Sequence, residues 1–340
     1  MPVSLPAEIM IMVVNGVSSA NDCRSLRAVD KAFCNAATPT AFRTVGATNR
    51  RDSALGLVSL LESDLAKYVE EAVYRDSAAD DNGDKVIAAD EDAGYLPAIE
   101  DSLVRAFSLA AQLPRVKSLR FTFHPKYSDA LQDLHADVFR GNDVPAQLHM
   151  QHALIATVGG AAPHLRVLTL ANVTPLRHAV YNSSAFTAVL PFITHLQLSI
   201  AFHKSGPHSL NTSGSTDILK FWHLVVHNGM LERAKGLVSI TLTSDTRFVF
   251  KAISWRLVML PRLKYLALNT SSGSGIDWPT HVMEDFVARH GQLEWIDLGI
   301  GADKVHWVRN THADPKDVSE CEMPPSVALK QTGQRGRMRQ

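Results

Sequence analysis

Few residues in this chain combine the type and spacing that chemistry needs. His223 and His227 stand four apart, which sets two imidazoles on one helix face as zinc ligands require. Leu224 stands where a hydrolytic zinc motif has its glutamate. With Phe221, Trp222, Val225 and Val226 around them, the pair reads as incidental histidines of a packed helix. Asp80, Asn82, Asp84 and Glu91 fall at positions 1, 3, 5 and 12 of a calcium loop, yet Lys85 replaces the turn-forming glycine and brings a cation among the ligands. An acidic solvated insertion is the expectation there. Gly299-Ile-Gly301-Ala-Asp-Lys304 has Lys where a phosphate-binding turn needs its third glycine, and it reads as a loop. Nucleophile-elbow, phosphate-loop and paired-thiolate motifs are absent, and Ser, His and Asp are scattered without a spacing that joins nucleophile to base. The sequence therefore predicts no catalysis, no metal and no cofactor, an enzyme with an unrecognised site being the remote alternative.

Composition narrows the class further. The 340 residues carry 34 Lys+Arg against 34 Asp+Glu, so no basic field exists to hold phosphate backbones, and nucleic acid is not the expected partner. Lys330, Arg335, Arg337 and Arg339 make only a basic, solvated end. Cys23, Cys34 and Cys321 are too few for a disulfide framework and point to a reducing compartment, cytoplasmic and/or nuclear. Ile9 to Val14 is an apolar run preceded by Glu8 and by no Lys or Arg, unlike a signal peptide, and no stretch approaches the ~20 apolar residues of a membrane span.

The elements that must position any partner come from an internal repeat: apolar, two variable, apolar, one variable, apolar. It occurs at Val116-x-x-Leu119-x-Phe121, Leu165-x-x-Leu168-x-Leu170, Ile193-x-x-Leu196-x-Leu198, Leu237-x-x-Ile240-x-Leu242, Leu263-x-x-Leu266-x-Leu268 and Leu293-x-x-Ile296-x-Leu298. A weaker copy stands at Val69-x-x-Ala72-x-Tyr74. The last two apolar residues of a unit share one face of a short strand, and the first closes the turn leading in. Pro114, Pro191 and Pro261 stop the preceding helices.

Helical patterns fill the gaps. Pro97 to Gln112 aligns Ile99, Leu103, Phe107 and Ala110; Asp217–Val226 and Arg247–Met259 behave similarly; and Pro279 opens a helix ending before Gly291. Such alternation predicts an α/β fold with a parallel sheet whose rungs cannot fold singly. The array resembles a leucine-rich repeat, although the usual Asn position holds Val173 in the second unit and Ser271 in the fifth. The resemblance implies an irregular solenoid with a curved parallel sheet, interrupted by insertions at 76–92, 127–145 and 205–215.

The first 45 residues differ in character. Leu5-Pro6-Ala-Glu8-Ile9 opens a helix in which Leu5, Ile9 and Val13 form one apolar stripe, and Asp22 is placed to cap a second helix carrying Leu26, Val29 and Phe33 that Pro39 ends. Two such short helices have no room for a private core.

This stretch resembles the F-box at the start of many fungal F-box proteins, through Leu5-Pro6-x-Glu8-Ile9, Asp22…Leu26-Arg-x-Val29-x-Lys31-x-Phe33 and Ala37-Thr38-Pro39-x-x-Phe42-Arg43. The family's box docks on the Skp adaptor of Skp–cullin–F-box (SCF) ubiquitin ligases. The resemblance implies that Leu5, Pro6, Ile9, Val13, Leu26 and Val29 lie at or beneath the docking surface. Cys23, Asp30 and Phe33 depart from the family's usual residues, which bears on adaptor affinity more than on fold. The alternative is a helical cap on the repeat array.

The expected organisation is thus an F-box over 1–45, an irregular leucine-rich-repeat-like domain over 46–309 and a disordered tail over 310–340. The expected function is a non-catalytic substrate-recognition subunit of an SCF-type E3 ubiquitin ligase. It would hold an unidentified target protein on the outward sheet residues Arg120, Thr122, Thr169, Gln197, Ser199, Thr241, Thr243 and Asp297, with neither nucleic acid nor membrane as partner. The alternative is a solenoid interaction scaffold with no link to ubiquitin.

Overall fold

The computed structural model describes residues 6–17, 19–76, 97–123, 146–173, 178–200, 219–244, 253–270, 280–299 and 305–309. They form a mixed α/β fold on one open nine-stranded sheet. Its strands are β1 (Thr44–Ala47), β2 (Glu71–Arg75), β3 (Ser118–Thr122), β4 (Val167–Val173), β5 (His195–Ile200), β6 (Ser239–Ser244), β7 (Tyr265–Thr270), β8 (Trp295–Leu298) and β9 (Val305–Val308). They lie side by side in chain order. All pairs are parallel except β8–β9, where the chain turns back.

The repeat explains this regularity. Its two strand positions stack into continuous ladders: Leu119, Leu168, Leu196, Ile240, Leu266 and Ile296 on one row, Phe121, Leu170, Leu198, Leu242, Leu268 and Leu298 on the next. Both rows are buried. A one-residue slip would turn a strand's whole set toward water, so burial fixes the register. The leading residues Val116, Ile193, Leu237, Leu263 and Leu293 are buried as well, each donating its amide to the carbonyl three residues back. Ahead of each strand one carbonyl takes two amides of the next rung: Glu70 from Lys117 and Ser118, Lys117 from Arg166 and Val167, Lys264 from Glu294 and Trp295.

The weak copy at Val69 is a true rung, β2. One rung earlier, Phe42-Arg-Thr-Val45-Gly-Ala47 has the same spacing and forms β1, so the sheet begins across the 45/46 boundary. β9 is a strand that the repeat does not announce. Asn172, with φ 57°, sits in a bulge of β4 and donates Nδ2 to the Phe123 carbonyl at 2.9 Å; Asn tolerates this left-handed backbone better than most residues.

The helices are α1 (Ala7–Gly16), α2 (Ala20–Leu26), α3 (Lys31–Ala41), α4 (Arg51–Leu61), α5 (Pro97–Gln112), α6 (Ala146–Thr157), α7 (His178–Tyr181), α8 (Ser184–Val189), the π-wound α9 (Phe221–Leu231) and α10 (Thr280–Arg289). α5 is as the spacing predicts, with Leu103, Phe107 and Ala110 buried and Ile99 packed at the margin. Phe107 meets Phe121 at 5.1 Å between ring centroids, and Tyr74 meets Phe123 at 5.7 Å, tying helix to sheet.

Two expectations fail. Of the helix predicted over Arg247–Met259, residues 253–259 are described and form an irregular turn. Ile253, Trp255, Val258 and Leu260 are buried at a spacing that fits no single helical stripe, and the Arg289 guanidinium takes the carbonyls of Trp255 at 3.0 Å and Arg256 at 2.5 Å. The N-terminal stretch holds three helices instead of two. Asp22 lies in the first turn of α2, whose cap is Ser19, while Asp30 caps α3 by accepting the Phe33 amide at 2.8 Å. Pro39 lies inside α3, where burial of Ala37, Ala41 and Phe42 carries the last turn.

These three helices share a small core of Val14, Cys23, Ala37, Ala41 and Phe42, against which Leu60, Leu65 and Tyr68 pack from the first rungs. No helix among the described residues is long and apolar enough to cross a membrane. The predicted insertions, apart from Asp76, and the tail lie outside the described residues.

Candidate functional site

α1 presents six consecutive apolar residues, Ile9-Met-Ile-Met-Val-Val14, so one face cannot hide them all. Pro6 stands at its cap, its carbonyl accepting the amides of Ile9 and Met10 at 3.1 Å each. Met10 and Val14 turn inward and are buried. Ile9 and Val13 each remain 42% exposed, Met12 69% and Ile11 52%. In the turn between α2 and α3, Val29 is 64% exposed. Of the residues expected to bind an adaptor, the structure thus leaves Pro6, Ile9, Val13 and Val29 outward. Leu26 is half-buried against the small core and supports the surface from beneath. Leu5 lies outside the described residues. Met12, absent from that set, is the most exposed residue of the run; nothing in an unbroken apolar run distinguishes it beforehand.

This arrangement suits a protein partner better than a small molecule. The inward half of the bundle is locked: Arg27 lies over the Phe42 ring at 4.5 Å and donates Nε to Thr38 Oγ1 at 3.0 Å. The outward half is apolar at Ile9, Ile11, Met12 and Val13, with exposed Glu8 one turn before Met12. Burying such side chains contributes about 1.5–3 kcal/mol each when complete.

The outward face of the sheet forms the second candidate surface, and its two ends differ. Near β1–β3 it satisfies itself: the Glu71 carboxylate accepts from Thr44 Oγ1 at 3.0 Å and Ser118 Oγ at 3.1 Å and pairs with Arg120. Among the residues expected to face a target, Arg120 and Gln197 are exposed, and Thr122, Ser199, Thr241 and Thr243 are half-buried. Thr169 and Asp297 are buried, Asp297 standing in register with His306 of β9. The far end offers what the polar row lacks. Tyr265 and Trp295 stand in register and meet edge to face at 6.0 Å, and Val308, opposite Trp295 on β9, is 59% exposed. Glu294 accepts from Lys264 Nζ at 2.7 Å and Tyr265 Oη at 2.9 Å. Those two bonds hold its carboxyl below the usual range and push the Lys264 and Tyr265 pKa values up. Tyr265 and Trp295 occupy variable positions of their repeats, where only the strand register shows that they adjoin.

The chain matches no family model and no curated protein.

His223 and His227 lie ring on ring with centroids 5.6 Å apart, and His227 is buried with Nδ1 at 2.6 Å from Asn228 Oδ1. No group of three or more metal-ligating side chains exists among the described residues. The 80–91 loop, residues 300–304 and the basic end lie outside them.

Proposed function

We propose that this chain is a non-catalytic substrate-recognition subunit of an SCF-type ubiquitin ligase. In this reading α1–α3 act as an F-box that docks on a Skp-type adaptor, and the rungs form an irregular leucine-rich-repeat-like solenoid that holds a target protein. The observation that carries it is the split character of α1. Met10 and Val14 seal the bundle to its own body while Ile9, Met12 and Val13 stay open to water, as does Val29 in the turn between α2 and α3. A helical cap needs only the first set; the second is unnecessary for folding and suits a foreign surface.

The test mixes the purified full chain with a Skp-type adaptor and measures complex formation by calorimetry. Submicromolar binding by wild type, weakened at least tenfold by Ile9→Asp, supports the proposal. Absence of wild-type binding refutes it.

A second reading, an interaction scaffold independent of ubiquitin, is favoured by the Tyr265–Trp295–Val308 patch, which suits a protein anchor whatever α1 does. Affinity purification with mass spectrometry separates the two: a partner lost on Trp295→Ala and recovered without adaptor or cullin speaks for the scaffold.

A further inference from the structure

His290 directly follows α10, opens the connection to β8 and is buried. Its Nδ1 lies 2.7 Å from the Phe286 carbonyl oxygen, which can only accept, so the proton sits on Nδ1. Its Nε2 accepts the Leu260 backbone amide at 3.1 Å. Only the neutral ring with this tautomer makes both bonds, because a protonated Nε2 would point a second donor at the Leu260 N–H. The His290 ring stacks on Phe286 with centroids 3.9 Å apart.

What His290 joins is otherwise irregular. Leu260 ends the 253–260 turn, and its carbonyl receives the Leu263 amide that starts the β7 rung. The His290 carbonyl in turn receives the Leu293 amide that starts β8. One side chain therefore links the leading turns of two adjacent rungs.

We propose that His290 is an acid-labile pin, whose protonation frees the 253–260 turn from α10 and loosens the backing of β7 and β8 while the earlier rungs stay closed. The inference does not rest on the ligase reading.

The surrounding charges favour this behaviour. On its own helix Arg289 is adjacent, with its guanidinium on the carbonyls of the 253–260 turn. After β9, Arg309 donates to the His290 and Val287 carbonyls at 3.3 and 3.4 Å. Lys235, ahead of β6, donates to the Met259 carbonyl at 3.1 Å. Among the described acids, Asp285 is exposed and 4.0 Å from Arg256, and Glu294 is held by Lys264 and Tyr265. Burial lowers the ring's pKa most, the Phe286 hydrogen bond opposes it and the Arg289 charge adds to it, and the balance lies below the ordinary imidazole value. The sign follows: the open state binds one more proton than the closed one. Closure is complete above about pH 6.5 and weakens as pH falls below it, by up to tenfold per pH unit.

Hydrogen exchange of the full chain between pH 7.5 and 5.5 tests this, with rates converted to protection factors. Peptides covering 253–260 and 280–290 lose up to tenfold protection per unit below about pH 6.5, whereas those covering β3 and β4 do not. His290→Asn, whose Nδ2 can still donate to Phe286 but whose shorter side chain puts no acceptor at the Nε2 position that serves Leu260, shows lowered protection at pH 7.5 that no longer varies with pH. If that variant does not fold, wild-type imidazole nitrogen spectra decide alone. A neutral Nδ1–H tautomer at pH 7.5 is expected, and an Nε2–H tautomer overturns the proposal. Loss of protection spread evenly over all rungs, or none at all, overturns it too.

Discussion

Val13 and Val14 are neighbours of one residue type on different faces of α1, 42% and 2% exposed, and they separate folding from docking. In Val13→Asp the mutated side chain stays in water in the free protein, so unfolding free energy should change by no more than about 0.5 kcal/mol. On docking, wild-type Val13 can still bury the exposed 42% of its surface. At 1.5–3 kcal/mol for a full side chain, that is about 0.6–1.3 kcal/mol. The carboxylate adds a desolvation cost of a few kcal/mol if it cannot reach water. Adaptor affinity should therefore fall at least tenfold, since about 1.4 kcal/mol is a decade. Val14→Ala should do the reverse. It empties a site lined by Cys23, Ala37, Ala41 and Phe42 and should cost about 1–3 kcal/mol of stability. Its affinity, measured where the bundle is still folded, should stay within a factor of about three of wild type. Urea unfolding and calorimetry on the same samples measure both quantities. If Val13→Asp lowers stability by more than about 2 kcal/mol, the assigned faces of α1 are wrong. If it leaves a real adaptor complex untouched, the docking surface lies elsewhere.

Three further outcomes follow from packing and charge. A Cβ on Gly159 would stand 2.6 Å from the Ala185 Cβ and 3.0 Å from its backbone carbon, so Gly159→Ala should destabilise by about 1–3 kcal/mol, partly relieved by Ala185→Gly. A free glycine would gain about 0.4–1 kcal/mol instead, and a urea double-mutant cycle distinguishes the two. Arg289→Met removes the donor for the Trp255 and Arg256 carbonyls and should cost about 1–3 kcal/mol, with protection lost mainly after residue 253. The Glu294 carboxyl should titrate below an ordinary glutamate in wild type and rise toward it in Lys264→Met, as read by carboxyl carbon shifts. The pair's contribution is present above the ordinary carboxylate range and is lost as pH falls through the depressed one.

Six strands were legible because each unit places two large aliphatics two residues apart with a third three positions earlier, a spacing with one simple extended solution. β1 escaped because its apolar residues are the small pair Val45 and Ala47, and because Phe42-Arg43 was absorbed into the N-terminal motif. β9 escaped because a four-residue antiparallel strand is set by its pairing with β8 and by the Arg309 contacts, neither of which leaves a periodic trace. The helix expected up to Met259 failed for a related reason: Arg289, thirty residues later in the chain, satisfies carbonyls that local spacing would assign to a helix.

The apolar period of the chain determined that there would be rungs, where most of them start and which side chains they bury, since strand alternation leaves two large aliphatics one place to go. It also showed that Ile9 to Val14 is too apolar to be a solvated leader to the fold. Only the tertiary structure decided which of those six residues are spent on the bundle and which remain outside, because an unbroken apolar run has no period from which a face can be read. The Tyr265–Trp295–Val308 patch and the link from His290 to Leu260 were decided there too, since each joins residues from separate rungs that only strand pairing and side-chain packing bring together.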